Sequence, residues 1–188
     1  MAKMTCPPWI GYLLINPLRK LFENPDKILG QFILEGMVVL EPGCGMGYFT
    51  LPLARMVGPE GKVVALDIQP KMLSVLERRA RKADFWTRIE ARLIERNGLG
   101  LEDLSGRIDF TAAIHMVHEV PDQGFFLKEV WRALKPGGRL LVIEPKGHVS
   151  PEEFARTMDI AERLGFKQET SSANIGERGV LLVKPFNS

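Results

Sequence analysis

The stretch Val38 to Thr50, Val-Val-Leu-Glu-Pro-Gly-Cys-Gly-Met-Gly-Tyr-Phe-Thr, constrains this chain more than any other. An apolar run with adjacent valines reads as a buried strand, and glycines at 43, 45 and 47 permit a tight turn with close ligand approach. Helical spacing resumes at Thr50. A strand, a glycine loop and a helix start place backbone N–H groups and the positive end of a helix dipole against a polar ligand, which marks a cofactor site. The spacing is G-x-G-x-G, whereas a dinucleotide fingerprint needs G-x-G-x-x-G, and position 48 is Tyr. The dinucleotide reading therefore fails.

The run Glu41-Pro42-Gly43-Cys44-Gly45-Met46-Gly47 resembles motif I of the class I S-adenosylmethionine-dependent methyltransferases. The resemblance implies that Gly43, Gly45 and Gly47 lie under the methionine moiety of the cofactor and that Glu41 helps to hold its amino-acid end. Cys44 sits in the loop where the family commonly has cysteine. Further along, His115-Met116-Val117-His118-Glu119 occupies the motif II region, and Leu134-Lys135-Pro136-Gly137-Gly138-Arg139-Leu140 is close to motif III. Motifs in this order cover residues 38 to 145. They are most similar to the small-molecule, quinone-biosynthesis-like group.

Length and composition agree. With 188 residues and 45% hydrophobic content the chain suits one domain with a single core. The expectation is a methyltransferase domain over 1–188, with a helical cap at 1–36 and an α/β core at 37–188. Net charge is only +2, which disfavours nucleic acid as a partner. Two cysteines without a C-x-x-C pair point to a reduced, cytoplasmic protein. The apolar run Trp9 to Ile15 is far short of the roughly 20 residues that span a bilayer.

In chain order, Asn16-Pro17 and Asn24-Pro25 each set an N-cap before a proline, so short helices precede the first strand. Trp9 and Tyr12 are candidates for a lid over the substrate pocket, or else cover a sheet edge. A helix from about Thr50 to Val57 leads through Gly58-Pro59-Glu60-Gly61 to a second strand, Lys62 to Asp67. Asp67 stands 20 residues beyond Gly47, where a carboxylate in this architecture accepts from ribose hydroxyls; a charge at the next helix start is the plainer alternative. The resemblance then lays Ile68 against the adenine ring and gives the adenine amino group to Glu95, or to Asn97.

Pro70 to Ala83 reads as a surface helix with a buried face at 72, 73, 75, 76 and 80, its basic run Arg78 to Lys82 being solvated. Arg88 to Ile94 and Arg107 to His115 are strands three and four, a helix runs from Gln123 to Leu134, and Leu134 to Pro145 reads as a helix end, a glycine turn and a buried fifth strand. Ser150-Pro151-Glu152-Glu153 opens a last helix that stops at Gly165, and two strand-like runs follow, Phe166 to Thr170 and Gly179 to Lys184. The expected fold is thus α/β: a Rossmann-like, doubly wound sheet of seven strands, mostly parallel with the last antiparallel, and helices on both faces.

All three histidines, His115, His118 and His148, follow strands four and five, on the rim where open parallel sheets bind ligands. Glu119, Glu144 and Lys146 accompany them. Three uses follow from their chemistry, in order of preference: contact with the acceptor, general base, and metal ligation. His115, ending the strand nearest the methyl in the resembled family, is the first candidate base and adjoins the cofactor; His118 is the second. No metal is expected. The Asn/Asp-Pro-Pro-aromatic sequence of amino-methylating enzymes is absent. The expected reaction is methyl transfer from S-adenosylmethionine to a small molecule, leaving S-adenosylhomocysteine. A nucleic-acid methyltransferase and a non-catalytic cofactor-binding scaffold or partner subunit are the alternatives.

Overall fold

The computed structural model describes residues 23–95, 97–169 and 178–186. Trp9, Tyr12 and the loop containing Asn174 and Gly176 lie outside the described residues. The fold is α/β and Rossmann-like, and its sheet has seven strands with helices around it. The chain divides into two compact units, which meet in sequence between Ile94 and Glu95.

In the first unit, Asn24 caps helix α1 (Pro25–Leu29) by accepting from the Asp26 N–H at 2.9 Å. Strand β1 (Val38–Pro42) follows, then helix α2 (Thr50–Met56), strand β2 (Lys62–Asp67), helix α3 (Pro70–Lys82) and strand β3 (Ile89–Leu93). The strand order is β3-β2-β1, and β1 and β3 each pair parallel with β2. Val39, Leu40, Val63, Val64, Ala65 and Leu66 are all buried, as continuous apolar strands covered on both faces must be. Helix α3 buries Met72, Val75, Leu76 and Ala80 of the face anticipated from spacing, and leaves Leu73 half-buried.

One expectation for α3 does not hold. Arg79 is not part of a solvated face: it is half-buried and its guanidinium donates to the Met46 carbonyl, which pins the glycine loop to α3. Arg81 instead pairs with Glu77 and lies over the Trp86 ring.

The second unit holds strand β4 (Ile108–Ile114), helix α4 (Gln123–Ala133), strand β5 (Leu134–Ile143), helix α5 (Pro151–Arg163) and strands β6 (Lys167–Glu169) and β7 (Gly179–Val183). Its order is β4-β5-β7-β6; β4 and β5 are parallel, and β7 is antiparallel to both neighbours, as expected of the last strand. Strand β5 begins earlier than the glycine turn suggested. Leu134 already pairs with Ile108, and the ladder then jumps to Arg139 opposite Phe110, so Lys135 to Gly138 bulge out of it. The bulge is held from the other side, because Gly137 N–H donates to the Lys184 carbonyl and Lys184 N–H to that of Gly138.

Helix α5 starts with a complete capping box: Ser150 Oγ accepts from the Glu153 N–H at 3.1 Å, and the Glu153 carboxylate accepts from the Ser150 N–H at 2.9 Å. It ends where Gly165 takes φ of +108°. Replacement Ser150→Ala removes one side of the box and should lower unfolding free energy by about 1 kcal/mol. Urea denaturation should show the loss as a lower midpoint with unchanged slope; an unchanged midpoint would mean that α5 is held by packing alone.

Candidate functional site

Local geometry in the first unit explains the glycine loop. Beyond β1 the chain turns back through a Gly47 N–H bond to the Cys44 carbonyl, and Cys44 N–H donates to Leu66 of β2. Such a turn drives Gly43, Gly45 and Gly47 to φ of +70°, +54° and +82°, the left-handed region that side chains disfavour. Gly47 is also sterically required, since a Cβ there would lie 2.5 Å from Leu76 Cδ1 and 2.9 Å from Leu51 Cδ1. Gly45 differs: a Cβ there would meet open space. Its bare backbone faces room that a ligand can use.

Asp67 ends β2 and holds the loop. Its Oδ2 accepts from the Gly45 N–H at 2.9 Å and its Oδ1 from the Gln69 N–H at 2.8 Å, so one carboxylate serves both the loop after β1 and the start of α3. Burial raises its pKa above the ordinary carboxylate value, while these N–H groups oppose the shift. Glu41, on β1, is only 4% exposed, and its Oε2 has no hydrogen-bond partner among the described residues. Desolvation pushes its carboxyl up to about 8; the Thr50 hydroxyl works against the shift and Asp67 adds to it. Burial also pushes the Cys44 thiol upward, away from thiolate chemistry. Ile68 is half-buried beside Asp67, and Leu93, at the end of β3, is exposed.

An acid kept out of water with one oxygen unsatisfied fits a cationic partner. The amino group of S-adenosylmethionine is such a partner, and the open side of Gly45 suits its close approach.

In the second unit the expected histidine rim is only partly assembled. His118 Nδ1 lies 2.5 Å from Glu144 Oε2, and Glu144 Oε1 accepts from the His118 backbone N–H at 3.1 Å. Glu144 follows β5 and is 5% exposed; His118 sits in the 3-10 turn Val117–Glu119 after β4. The His148 ring is 5.9 Å from that of His118, centroid to centroid, but His148 and Lys146 are exposed on the loop after β5. Glu119 is half-buried in the 3-10 turn, and Glu95, bridged to Gly98, is exposed. His115 follows β4 with φ of +58°, and its N–H donates to the Ile143 carbonyl at 2.7 Å. A non-glycine residue in that region stores strain. Among the described residues no three His, Cys, Asp or Glu side chains gather as a metal site requires.

A cavity of about 170 Å³ opens beside the dyad, lined by His118, Gln123, Glu144, Val149, Glu153, Arg156 and Thr157. Of these, the sequence singled out only His118 and Glu144 for chemistry. Gln123 ties the site together: its Nε2 donates to the Val117 carbonyl at 3.2 Å and its Oε1 accepts from Thr157 Oγ1 at 2.8 Å. Glu153 and Thr157 are four residues apart on α5 and so share a face of the helix.

A model of the methyltransferase domain family matches residues 33–175. The chain belongs to that family. It is 32% identical over 111 residues to a demethylmenaquinone methyltransferase of Lactococcus lactis, covering 59% of this chain and 43% of that protein. A demethylmenaquinone methyltransferase of Lactobacillus johnsonii is 32% identical over 136 residues, 72% of this chain and 53% of its own length. The chain thus spans about half the length of the curated relatives it matches. A crystal structure of a SAM-dependent methyltransferase from Aquifex aeolicus superposes with a TM-score of 0.81 at 27% identity, over 96% of this chain and all 100% of that one. Family, motifs and fold agree on a class I methyltransferase. No helix among the described residues is long and apolar enough to cross a membrane.

Glu41 gives this site a pH signature. Its folded value of about 8 lies above the ordinary carboxylate value of 4.5, so the folded state binds the proton more tightly. The stability it contributes is fully present below 4.5 and is lost as pH rises through about 8. Within that window the slope is at most about 1.4 kcal/mol per pH unit. Replacement Glu41→Gln, neutral at every pH, should flatten the ligand-free protein's stability between pH 5.5 and 8.5 in parallel urea titrations.

Proposed function

We propose that the chain binds S-adenosylmethionine through Glu41, Gly43, Cys44, Gly45, Gly47, Asp67, Ile68 and Glu95 and transfers its methyl group to a small-molecule acceptor, leaving S-adenosylhomocysteine. Bound there, the cofactor supplies a methyl group on a sulfonium that is already a good leaving group. The protein's own task is then to orient the partners and to remove a proton where the acceptor carries one. The observation that carries the reading is the buried, half-satisfied Glu41 carboxyl next to a G-x-G-x-G loop whose Gly45 is fixed by Asp67. His115 stands as a cofactor neighbour and candidate base, with His118, Glu119, Glu144, Lys146 and His148 as acceptor contacts.

The curated relatives carry the name demethylmenaquinone methyltransferase, which supports a small-molecule acceptor and gives no ground for a nucleic acid. A net charge of +2 agrees. We read the chain as one methyltransferase domain, 1–36 forming its cap and 37–188 its core, that works in the cytoplasm; the buried, unpaired Cys44 thiol suits a reducing compartment.

Calorimetric titration of the purified protein with S-adenosylmethionine, S-adenosylhomocysteine and NAD tests the reading. Micromolar binding of the first two and none of NAD is expected. Replacement Asp67→Ala should weaken binding by about 1 to 3 kcal/mol, through the lost charged acceptor and the loosened Gly45. Failure of both sulfur nucleosides to bind folded protein would overturn the cofactor reading and put the partner-subunit reading first.

A further inference from the structure

Within the first unit, the fold leaves the Glu41 carboxyl with little water and an oxygen that no donor reaches. The residue is 4% exposed, and Oε2 has no hydrogen-bond partner among the described residues. The loop that follows β1 has its N–H groups committed elsewhere: Cys44 donates to the Leu66 carbonyl, Gly45 to Asp67 Oδ2 and Gly47 to the Cys44 carbonyl. The Arg79 guanidinium, the cation that reaches this loop from α3, is engaged by the Met46 carbonyl. Thr50, at the start of α2, is fully buried, and its hydroxyl makes no full hydrogen bond either.

A carboxylate in this setting would lose its hydration and gain no donor at Oε2, so the ligand-free protein keeps Glu41 as the neutral acid. The groups that act on its charge agree with this. Asp67, from β2, disfavours a second negative charge beside it, the Cys44 thiol is held neutral by burial, and Thr50 is the opposing group. Asp67 itself differs, since each of its oxygens already accepts a backbone N–H. Two neighbouring acids are thus divided, one supported as an anion by the main chain and one waiting for a cation.

We propose that Glu41 is a specificity-determining residue of the cofactor loop and works by exchange, resting as the neutral acid and giving up its proton when the ammonium group of the ligand's amino-acid end arrives. The proposal rests on the cofactor reading above and deepens it. The carboxyl O–H bond breaks, its electron pair stays on oxygen and the proton passes to solvent. The carboxylate then faces the ammonium cation that has taken the proton's place. A ligand with the same nucleoside but no cation leaves the acid neutral and binds without exchange. Because binding expels a proton, affinity for the ammonium ligand rises with pH for as long as the free protein holds that proton, by up to about tenfold per pH unit.

Calorimetry of the whole chain tests this with S-adenosylhomocysteine and 5′-methylthioadenosine, which share the nucleoside and differ in the amino-acid end. Titrations at about pH 6.5, where an α-amino group is charged, in buffers of different ionisation enthalpy count the protons exchanged. S-adenosylhomocysteine should release close to one proton, and its Kd should fall by up to about tenfold per unit between about pH 5.5 and 7. The analogue without the amino-acid end should release none, with a flat Kd. Replacement Glu41→Gln should abolish the release. Infrared difference spectra of the unaltered protein need no variant: S-adenosylhomocysteine should replace the C=O stretch of a protonated carboxyl by carboxylate bands. Binding without proton release, the protonated carboxyl band being retained, overturns the exchange and leaves the cofactor reading in place. Undiminished release in folded Glu41→Gln overturns it as well, by assigning the proton to another group. No binding of S-adenosylhomocysteine to folded protein overturns the cofactor reading and the exchange with it.

Discussion

A carboxylate at the carboxyl end of a strand, accepting a backbone N–H from the loop of another strand, is the interaction on which both units depend. Asp67 does this from β2 for Gly45. Glu144 does it from β5 for His118. Each bond joins a charged acceptor to a main-chain donor in partial or full burial, the setting in which hydrogen bonds contribute about 1.5 to 3 kcal/mol. Each also uses the second oxygen nearby, Asp67 on the Gln69 N–H and Glu144 on the His118 ring. A loop clamped in this way would cost less ordering on binding a ligand than a loose one.

The two carboxylates nearest the glycine loop play opposite parts. Asp67 has both oxygens engaged by the backbone, whereas Glu41 keeps Oε2 unsatisfied in a dry setting. Their proximity raises the proton affinity of Glu41 further. An incoming cation relieves both the desolvation and the repulsion. Arg79 supports this arrangement from outside by holding the Met46 carbonyl, which leaves the loop's own geometry to Gly43, Gly45 and Gly47.

Much of the fold was legible because it rests on local rules. Val38 to Leu40 and Val63 to Leu66 are short apolar runs rich in valine that read as buried strands, and Ser150 to Glu153 announces a helix start by itself. The glycine spacing marked the turn after β1 for the same reason, since Gly43, Gly45 and Gly47 all take positive φ. What escaped depended on partners far apart in sequence. Arg79 looked like one of four basic residues on a solvated face, and nothing local distinguishes the one that reaches position 46. The bulge at Lys135 to Gly138 is set by Lys184, and the cavity wall by Gln123 meeting Thr157. The histidines were legible as a group, but not that Glu144 selects one of them.

His115 and His118, three residues apart, are held in place by different physics. At 115 the backbone itself sits at φ of +58°, a conformation that glycine, asparagine and aspartate share with histidine and that valine or isoleucine resist. At 118 the main chain asks for nothing unusual, and the demand comes from a ring nitrogen facing a buried carboxylate. Sequence drift in this segment is therefore filtered twice, at the first position by torsional fit and at the second by acid–base identity.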